Sequence, residues 1–184
     1  FPSDRYAIDS QIKLHGLDPA NDLVELEPRQ GEPTLRTEDI VEAIEREGSS
    51  LALILLGGVN YYTGQAFEMR EITAAGHAAG AIVGFDLAHA AGNLELRLHD
   101  WGVDLAVWCS YKYLNGGPGA VGGAFVHERH ADCPEIPRLA GWWGHDKATR
   151  FLMGPTFTPI AGAEGWQISN PPILQMASLH ASLE

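Results

Sequence analysis

The stretch "WCSYKYLNGGPGAVGG", residues 108–123, places a lysine where a buried strand comes to its end. Lys112 follows the apolar run "LAVWCS" (105–110), stands between two tyrosines, and precedes a glycine-rich segment from Gly116 to Gly123. Surface lysines usually lie on polar faces, whereas this one, among only three in the chain, directly follows residues suited to a core. The stretch therefore predicts a buried strand that ends near Lys112 and continues into a glycine-rich loop.

Strands of the same kind recur on both sides of this stretch. "LALILL" (51–56) ends in Gly57-Gly58, and "AIVGFD" (81–86) ends in a carboxylate. "GGAFVHE" (122–128) is one more strand, which we expect to pair with its neighbours. Strands that alternate with helices of about 10 to 12 residues predict an α/β fold, a mostly parallel sheet with helices on both faces.

Helices are predicted from apolar spacing and from their start and stop residues. The sequence between the first two helices, "DLVELEP" (22–28), alternates like a short strand, and segments 132–137 and 154–165 are predicted to be irregular loops. The predicted helices are one from a Ser3 cap through Leu14 with Gly16 as its stop, one from a Thr37 cap to Gly48, one over 69–79 before Gly80, and one over 173–183.

Composition narrows the class of partner and the compartment. The 184 residues, 45% hydrophobic and 20% charged, suffice for one soluble globular domain. A net charge of −12 argues against nucleic-acid binding, which needs a basic surface. No apolar run approaches the roughly 18 residues of a membrane-spanning helix. Cys109 and Cys133 lack the spacing of a disulfide framework, which indicates a reducing, cytoplasmic location, and Cys109 is interpreted as a small buried hydrophobic residue.

Three predicted strands end in residues suited to a site: Gly57-Gly58, Asp86 with His89, and Ser110-Tyr111-Lys112. Ligands of open α/β sheets bind at the carboxyl ends of the strands. Each signal alone has a structural alternative: Asp86 as the cap of a following helix, His89 as an interior histidine, and Lys112 as a solvated surface residue. Their convergence on one sheet edge is the first indication of a functional site.

A lysine and an aspartate at neighbouring strand ends suit one cofactor, pyridoxal phosphate. A lysine removed from water becomes a nucleophile toward carbonyl groups, and the cofactor joins it as an aldimine while an aspartate keeps the pyridine nitrogen protonated. Asp86 and Lys112 are 26 residues apart, about one strand–connection–strand unit. The glycines from Gly116 to Gly123 permit close backbone approach to a ring, although a flexible connector explains them equally well. An Asp…Lys pair also occurs by chance in many α/β proteins.

Six motifs, in order and spread over essentially the whole chain, add a resemblance to a known family. They are "FPSDRYA", "GGVNYYTGQ", "GFDLAHAAGNLELRLHDWGVD", "WCSYKYLNGGPG", "GWWGH" and "ISNPP". Together they resemble the kynureninases, pyridoxal-phosphate hydrolases of the aspartate-aminotransferase-like superfamily, fold type I and class V. The resemblance implies that residues 1–184 are the central part of the large cofactor-binding domain. The N-terminal phosphate-binding segment and the C-terminal small domain would then lie outside this chain, which alone is expected to be inactive.

The resemblance also implies a role for each matching residue. Lys112 would carry the aldimine, Asp86 would bind the pyridinium nitrogen, and His89 would lie toward the phenolic side of the cofactor. Tyr111 would contact the phosphate and donate a proton during turnover. Gly57 matches a position where some members carry a serine, so that any contact there would run through backbone or water. The other implied cofactor-side residues are Phe1 against the ring face, Pro2, Ser3 and Asp4 beside it, and Trp142 and Asn170 from the partner subunit of a homodimer.

Two of these residues have simpler interpretations. Trp142 also fits a core or interface aromatic, and Asn170 before two prolines also fits a turn former. The reaction that the family implies is hydrolysis of L-kynurenine, or its 3-hydroxy form, to anthranilate, or 3-hydroxyanthranilate, and L-alanine, with Lys112 as the base for the α-proton. It would serve tryptophan catabolism or NAD biosynthesis, and the sequence does not choose between them.

Three rival interpretations belong to other classes of site or reaction. Another class V enzyme, an aminotransferase or a cysteine desulfurase, is the nearest, but desulfurases usually carry a histidine before the lysine, where this chain has Tyr111. They also need a mobile catalytic cysteine, and neither Cys109 nor Cys133 is placed for one. A binding module without cofactor would lack the lysine or the aspartate. A metal site is not predicted, because His77, His89 and His99 have neither His-x-x-x-His spacing nor an obvious set of carboxylate partners.

Overall fold

Four strands form one mixed sheet in a computed structural model that describes residues 2–130, 133 and 135–184. The strands are β1 (Leu53–Gly57), β2 (Ile82–Asp86), β3 (Leu105–Cys109) and β4 (Gly122–Val126), in the order β1-β2-β3-β4. The first three are parallel, and β4 runs antiparallel to β3. The predicted α/β class and mostly parallel sheet are confirmed. β4 reverses because the 110–121 connection contains no crossover helix.

Five α-helices accompany the sheet within the described residues: α1 (Pro2–Leu14), α2 (Pro19–Asp22), α3 (Thr37–Glu47), α4 (Met69–Ala79) and α5 (Ile173–Leu183). The predictions of helices over 69–79 and 173–183 are confirmed. The predicted glycine stops are confirmed as well. Gly80, for example, takes a left-handed φ of 88° and donates its N–H to carbonyls of the last turn of α4.

Three local predictions are wrong. Ser3 does not cap α1, because the helix already begins at Pro2, a residue whose fixed φ suits a first turn. Thr37 is the first residue of α3, and Arg36 holds the cap position without a side-chain hydrogen bond. Residues 23–29 form no strand, since no neighbouring strand pairs with them, and Leu26 packs against the core from a coil. Of the predicted loop 132–137, residues 132 and 134 lie outside the described part.

The core lies between the sheet and the helix pair α3 and α4. Ile40 and Ile44 of α3 join Ile72 of α4 and the β2 residues Val83 and Phe85, all buried. Gly76 of α4 lies so close to Val83 and Ile54 that an added Cβ would stand 2.5 and 2.8 Å from their methyl carbons. The opposite sheet face presents Leu53, Leu55, Ile82 and Val107 at 37–52% exposure. None of the described helices has the length and apolar character needed to span a membrane.

Candidate active site

The carboxyl ends of β1, β2 and β3 meet at one edge of the sheet. The register pairs Gly57 with Asp86 and Asp86 with Val107. Backbone hydrogen bonds continue past the strands, from Gly58 N–H to Asp86 O (2.8 Å) and from Leu87 N–H to Val107 O (2.7 Å). The edge that bears the predicted site residues is therefore fixed by strand pairing.

Residues 110–121, here called the lysine loop, connect β3 to β4. Ser110, 1% exposed, donates its hydroxyl to Val121 O at 2.5 Å, and Gly116 N–H donates to Ser110 O at 2.9 Å. A Cβ on Gly116 would stand 2.9 Å from Ser110 Oγ, so that glycine is required there by close packing. Gly117 and Gly119 adopt left-handed φ values of 80° and 76°. The glycine run thus builds a closed loop with fixed ends, which weakens the alternative of a flexible connector.

Lys112 is half-buried, and its amine faces a histidine. The Lys112 Nζ lies 3.0 Å from Nε2 of His89, which is itself half-buried in the turn after β2. His89 Nδ1 lies 3.4 Å from the Tyr113 hydroxyl. The ring of Tyr113 meets the His89 ring edge-on, with the centroids 5.9 Å apart. The structure therefore brings together two predicted site residues and adds Tyr113, which lies on the same loop as Lys112.

Asp86 occupies the last position of β2. Its Oδ1 accepts a hydrogen bond from Ala88 N–H at 2.8 Å. Two consecutive turns follow, the first closed by Ala90 and Ala91 N–H donating to Leu87 O, and no helix forms there. Asp86 therefore caps the first turn after β2 through one carboxylate oxygen, which is the structural alternative named for it above.

Tyr111 lies beside Lys112 at the start of the lysine loop and is 54% exposed. The Lys112 Nζ is 5.9 Å from the centroid of the Tyr111 ring. A hydrogen bond with the Cys109 sulfur raises the pKa of Tyr111, and the negative charge of Asp86 adds to the shift. The phenol is therefore protonated at neutral pH, as it already would be at its ordinary pKa, and a proton donor requires this. Cys109 is half-buried, and its sulfur lies 3.9 Å from Ala88 O.

The remaining predicted residues are those from Phe1 to Asp4, Trp142 and Asn170. Phe1 lies outside the described residues, and Pro2, Ser3 and Asp4 form the first turn of α1, a helix without buried residues. In the described part of the chain, neither Trp142 nor Asn170 makes a hydrogen bond or ring contact with Asp86, His89 or Lys112. Trp142 instead packs edge-on against Phe151, with ring centroids 5.4 Å apart.

Trp142 and Asn170 nevertheless belong to neighbouring backbone segments. Gly141 packs directly on the backbone of Ile168, and Trp143 N–H donates to Ile168 O at 3.4 Å. Arg150, which is 8% exposed, supports the segment that carries Trp142. Its guanidinium lies 4.4 Å from the Trp143 ring and donates to Trp143 O and His145 O, at 2.5 and 3.1 Å.

Sequence reasoning missed Tyr113, Arg150 and a buried carboxylate, Asp104. The only sign of Tyr113 was its place as the second tyrosine flanking Lys112. Asp104 Oδ2 binds His77 Nε2 and its Oδ1 binds His130 Nε2, both at 2.8 Å. Two of the histidines considered for a metal site each contact a carboxylate that the sequence does not make obvious: His77 contacts Asp104, and His99 contacts Glu128 at 3.1 Å. Asp104 lies 27 residues from His77 in the sequence, so no short-range motif indicates that the two side chains are in contact.

The comparisons with known proteins agree with this geometry. The family model described as Aminotransferase class-V matches residues 23–132, more than half of the chain. The chain belongs to the class-V aminotransferase family. Its whole length is 72% identical to a kynureninase of Koribacter versatilis and 62% identical to one of Mus musculus. It spans 43% and 39% of those two proteins, so it corresponds to less than half of each.

Solved structures support the class-V fold. The apo cysteine desulfurase of Thermococcus onnurineus NA1 superposes with a TM-score of 0.74 over 98% of this chain and 42% of its own, at 21% identity. A variant of C-DES with glycine covalently linked to its PLP cofactor superposes with a TM-score of 0.61 over 78% of this chain and 37% of its own, at 25% identity. The predicted α/β fold of a fold-type I enzyme is confirmed, and the class-V family supports dependence on pyridoxal phosphate.

Proposed function

We propose that the protein containing this chain hydrolyses L-kynurenine, or its 3-hydroxy form, to anthranilate, or 3-hydroxyanthranilate, and L-alanine with bound pyridoxal phosphate. The observation that carries the proposal is the contact between Lys112 Nζ and His89 Nε2 at 3.0 Å, on the sheet edge that also bears Asp86. The 72% identity to a kynureninase over the whole chain favours this reaction over others on the same fold.

The residues at this edge fit the cofactor. Lys112 offers a half-buried amine on a loop with fixed ends, and Asp86 offers a carboxylate one strand away. A Cβ on Gly57 would meet only Val59 O at 3.4 Å and still more distant atoms, so the end of β1 leaves open room there. Lys112 would hold the cofactor covalently, and Asp86, His89, Tyr111 and Gly57 would surround it. When bound, the cofactor supplies an electron sink for the amino-acid substrate.

The side chains divide the remaining tasks. The Lys112 amine acts first as the nucleophile that holds the cofactor and then, once released, as the base for the substrate α-proton. The Asp86 carboxylate supplies a negative charge that favours a protonated ring nitrogen. Tyr111, which is protonated at neutral pH, donates a proton to the substrate side. His89 holds the lysine amine in place between these events.

A cysteine desulfurase is the rival that the superposition with the Thermococcus onnurineus enzyme suggests. That likeness, at 21% identity, concerns the fold alone. Tyr111 stands where desulfurases usually carry a histidine, and the Cys109 sulfur is held at the end of β3 near Ala88 O. These features favour the hydrolase.

The proposed dimer, the further cofactor contacts and the location of the protein rest on the family resemblance. A homodimer in which Trp142 and Asn170 approach the partner's site, cofactor contacts from Phe1 to Asp4, and a cytoplasmic location remain predictions. The adjacent positions of the Trp142 and Asn170 segments support joint action of those two residues. Residues 1–184 are proposed to be the central part of the cofactor-binding domain, inactive by themselves.

The test uses the intact protein, incubated with pyridoxal phosphate, reduced with borohydride and digested for peptide mapping. We expect the label on Lys112, anthranilate from kynurenine and no sulfide from cysteine. Lys112→Ala should abolish both label and turnover. Lys147→Ala is the matched control, because Lys147 is 67% exposed and pairs with Glu164 on the surface, and it should retain both. Label on another residue, or turnover by Lys112→Ala, would disprove the proposal.

A further inference from the structure

Tyr113 has no role in the proposed reaction, yet its hydroxyl lies behind the histidine that contacts the lysine. Lys112 Nζ lies 3.0 Å from His89 Nε2. On the other side of the same ring, His89 Nδ1 lies 3.4 Å from Tyr113 Oη. Tyr113 is 43% exposed, so that this end of the row belongs to a solvent-exposed side chain. The row of atoms therefore leads from the buried side of the lysine to water.

The donors and acceptors along this row fix the histidine's tautomer. While Lys112 is an ammonium, it has three donors and no acceptor, so that Nε2 of His89 accepts the hydrogen bond and carries no proton. The neutral ring then bears its proton on Nδ1, which donates to Tyr113 Oη. The phenol in turn directs its own hydrogen outward. Removing the phenol would leave Nδ1–H without its partner and allow the opposite tautomer, whose Nε2–H faces the ammonium.

We propose that Tyr113 is a positioning residue that holds His89 in the Nδ1–H tautomer and completes a proton relay from Lys112 to solvent. The inference rests on the proposed role of Lys112 as a nucleophile. An ammonium must lose a proton before it attacks a carbonyl. In the relay, Lys112 gives a proton to Nε2 as Nδ1–H passes its proton to Tyr113 Oη, and Tyr113 releases its own hydrogen to water. The net change is one proton moved from Lys112 to solvent, with the histidine and tyrosine neutral before and after the transfer.

Other titratable groups around His89 do not offer the same path. Asp86 Oδ1 is engaged by Ala88 N–H, and Tyr111 interacts with Cys109. The Tyr61 ring is tilted against the His89 ring at a centroid distance of 6.4 Å. Within the described residues, the titratable side chains in contact with the histidine ring are Tyr61 from the loop after β1 and Lys112 and Tyr113 from the lysine loop.

The first experiment measures the tautomer in the intact, cofactor-free protein. Nitrogen chemical shifts of ¹⁵N-histidine report whether Nδ1 or Nε2 carries the proton. We expect the Nδ1–H form of His89 in the parent protein and a shift toward the Nε2–H form in Tyr113→Phe. Tyr62→Phe is the matched control, because Tyr62 is 86% exposed, and it should leave the shifts unchanged. An unchanged tautomer in a folded Tyr113→Phe variant would overturn the proposal.

The second experiment follows the rate at which pyridoxal phosphate attaches to Lys112 after mixing. At neutral pH we expect Tyr113→Phe to slow attachment about fivefold, the factor that corresponds to loss of one ordinary hydrogen bond. In strongly alkaline solution, where hydroxide can take the ammonium proton directly and no relay is needed, the difference should disappear. A slowing that persists unchanged at high pH would indicate a merely structural role and refute the relay. Absence of attachment to Lys112 in the parent protein would refute the proposed function instead, while the tautomer would still test the hydrogen bond.

Discussion

Two adjacent glycines at the end of β1 serve different purposes. A Cβ on Gly57 meets nothing closer than Val59 O at 3.4 Å, an ordinary contact. A Cβ on Gly58 would stand 2.6 Å from Leu87 Cδ2 and 2.9 Å from Ala90 Cβ, within the packed layer beneath the site turn. The sequence alone does not distinguish the two glycines by their packing, because it does not show toward which side of the strand a Cβ at each position would point.

This difference predicts opposite outcomes for one substitution. Gly57→Ser should change the free energy of unfolding by less than about 0.5 kcal/mol. Gly58→Ser should lower it by about 1–3 kcal/mol, because the added atoms overpack the core and bury a hydroxyl. Urea denaturation of the two variants measures both values, and each variant is the control for the other. Equal destabilisation would contradict the packing described for β1.

The segment that carries Trp142 is an element without regular secondary structure beyond one short turn, Trp142–Gly144. A buried cation, Arg150, supports its shape. Arg150 stacks on Trp143 and donates to two carbonyls of the segment, and its aliphatic stem is removed from water. A lysine supplies charge but neither the planar stacking surface nor the forked donors.

Arg150→Lys should therefore loosen the segment without unfolding the protein. We expect the free energy of local opening around residues 141–150 to fall by about 2 kcal/mol, which is about 30-fold faster amide exchange. Hydrogen exchange followed by mass spectrometry measures this rate peptide by peptide. Arg46→Lys is the matched control, because Arg46 is 62% exposed beside Glu47. Unchanged exchange in the 141–150 peptide would show that Arg150 does not hold the segment.

Regular elements were the most predictable part of this chain. α4 and α5 were predicted with correct ends, because apolar spacing and a terminal glycine or proline pair are local signals. The 22–28 strand failed because alternation alone does not supply a partner strand. Of the site, Asp86 and Lys112 were predictable since strand ends converge by topology, and the structure brings His89 against the lysine. Tyr113 and Arg150 were missed, because their partners depend on how loops fold back.

At the scale of the whole molecule, Asp104 joins parts that are distant in sequence. The carboxylate, 2% exposed, binds His77 of α4, Val83 N–H of β2, and His130 beyond β4. It precedes β3, so it lies at the sheet edge opposite the lysine. Burial opposes its charge, but the Val83 N–H and the two histidines outweigh that effect and hold the pKa of Asp104 below its usual value. The ionised carboxylate is therefore a stabilising clamp.

Asp104→Asn should lower the free energy of unfolding by about 3 kcal/mol at pH 7, since it removes one partner of a buried ionic cluster. A depressed pKa means that the carboxylate's contribution is complete above its unfolded value, about 3.9, and declines as pH falls through the lower folded value. The gap between parent and variant should thus narrow below about pH 4 in urea titrations. Asp100→Asn, at a 69% exposed position, should cost less than about 0.5 kcal/mol. A gap that is constant down to pH 2.5 would contradict this account.

The lysine loop leaves β3 and rejoins β4, which lie side by side, so that its two ends nearly coincide in space. A segment closed in this way can change length or be exchanged between relatives without displacing either flanking strand. Lys112, the proposed attachment point of the cofactor, therefore lies on a connection whose two ends are tied to each other, so that substitutions within the loop can alter the site while β3 and β4 keep their pairing.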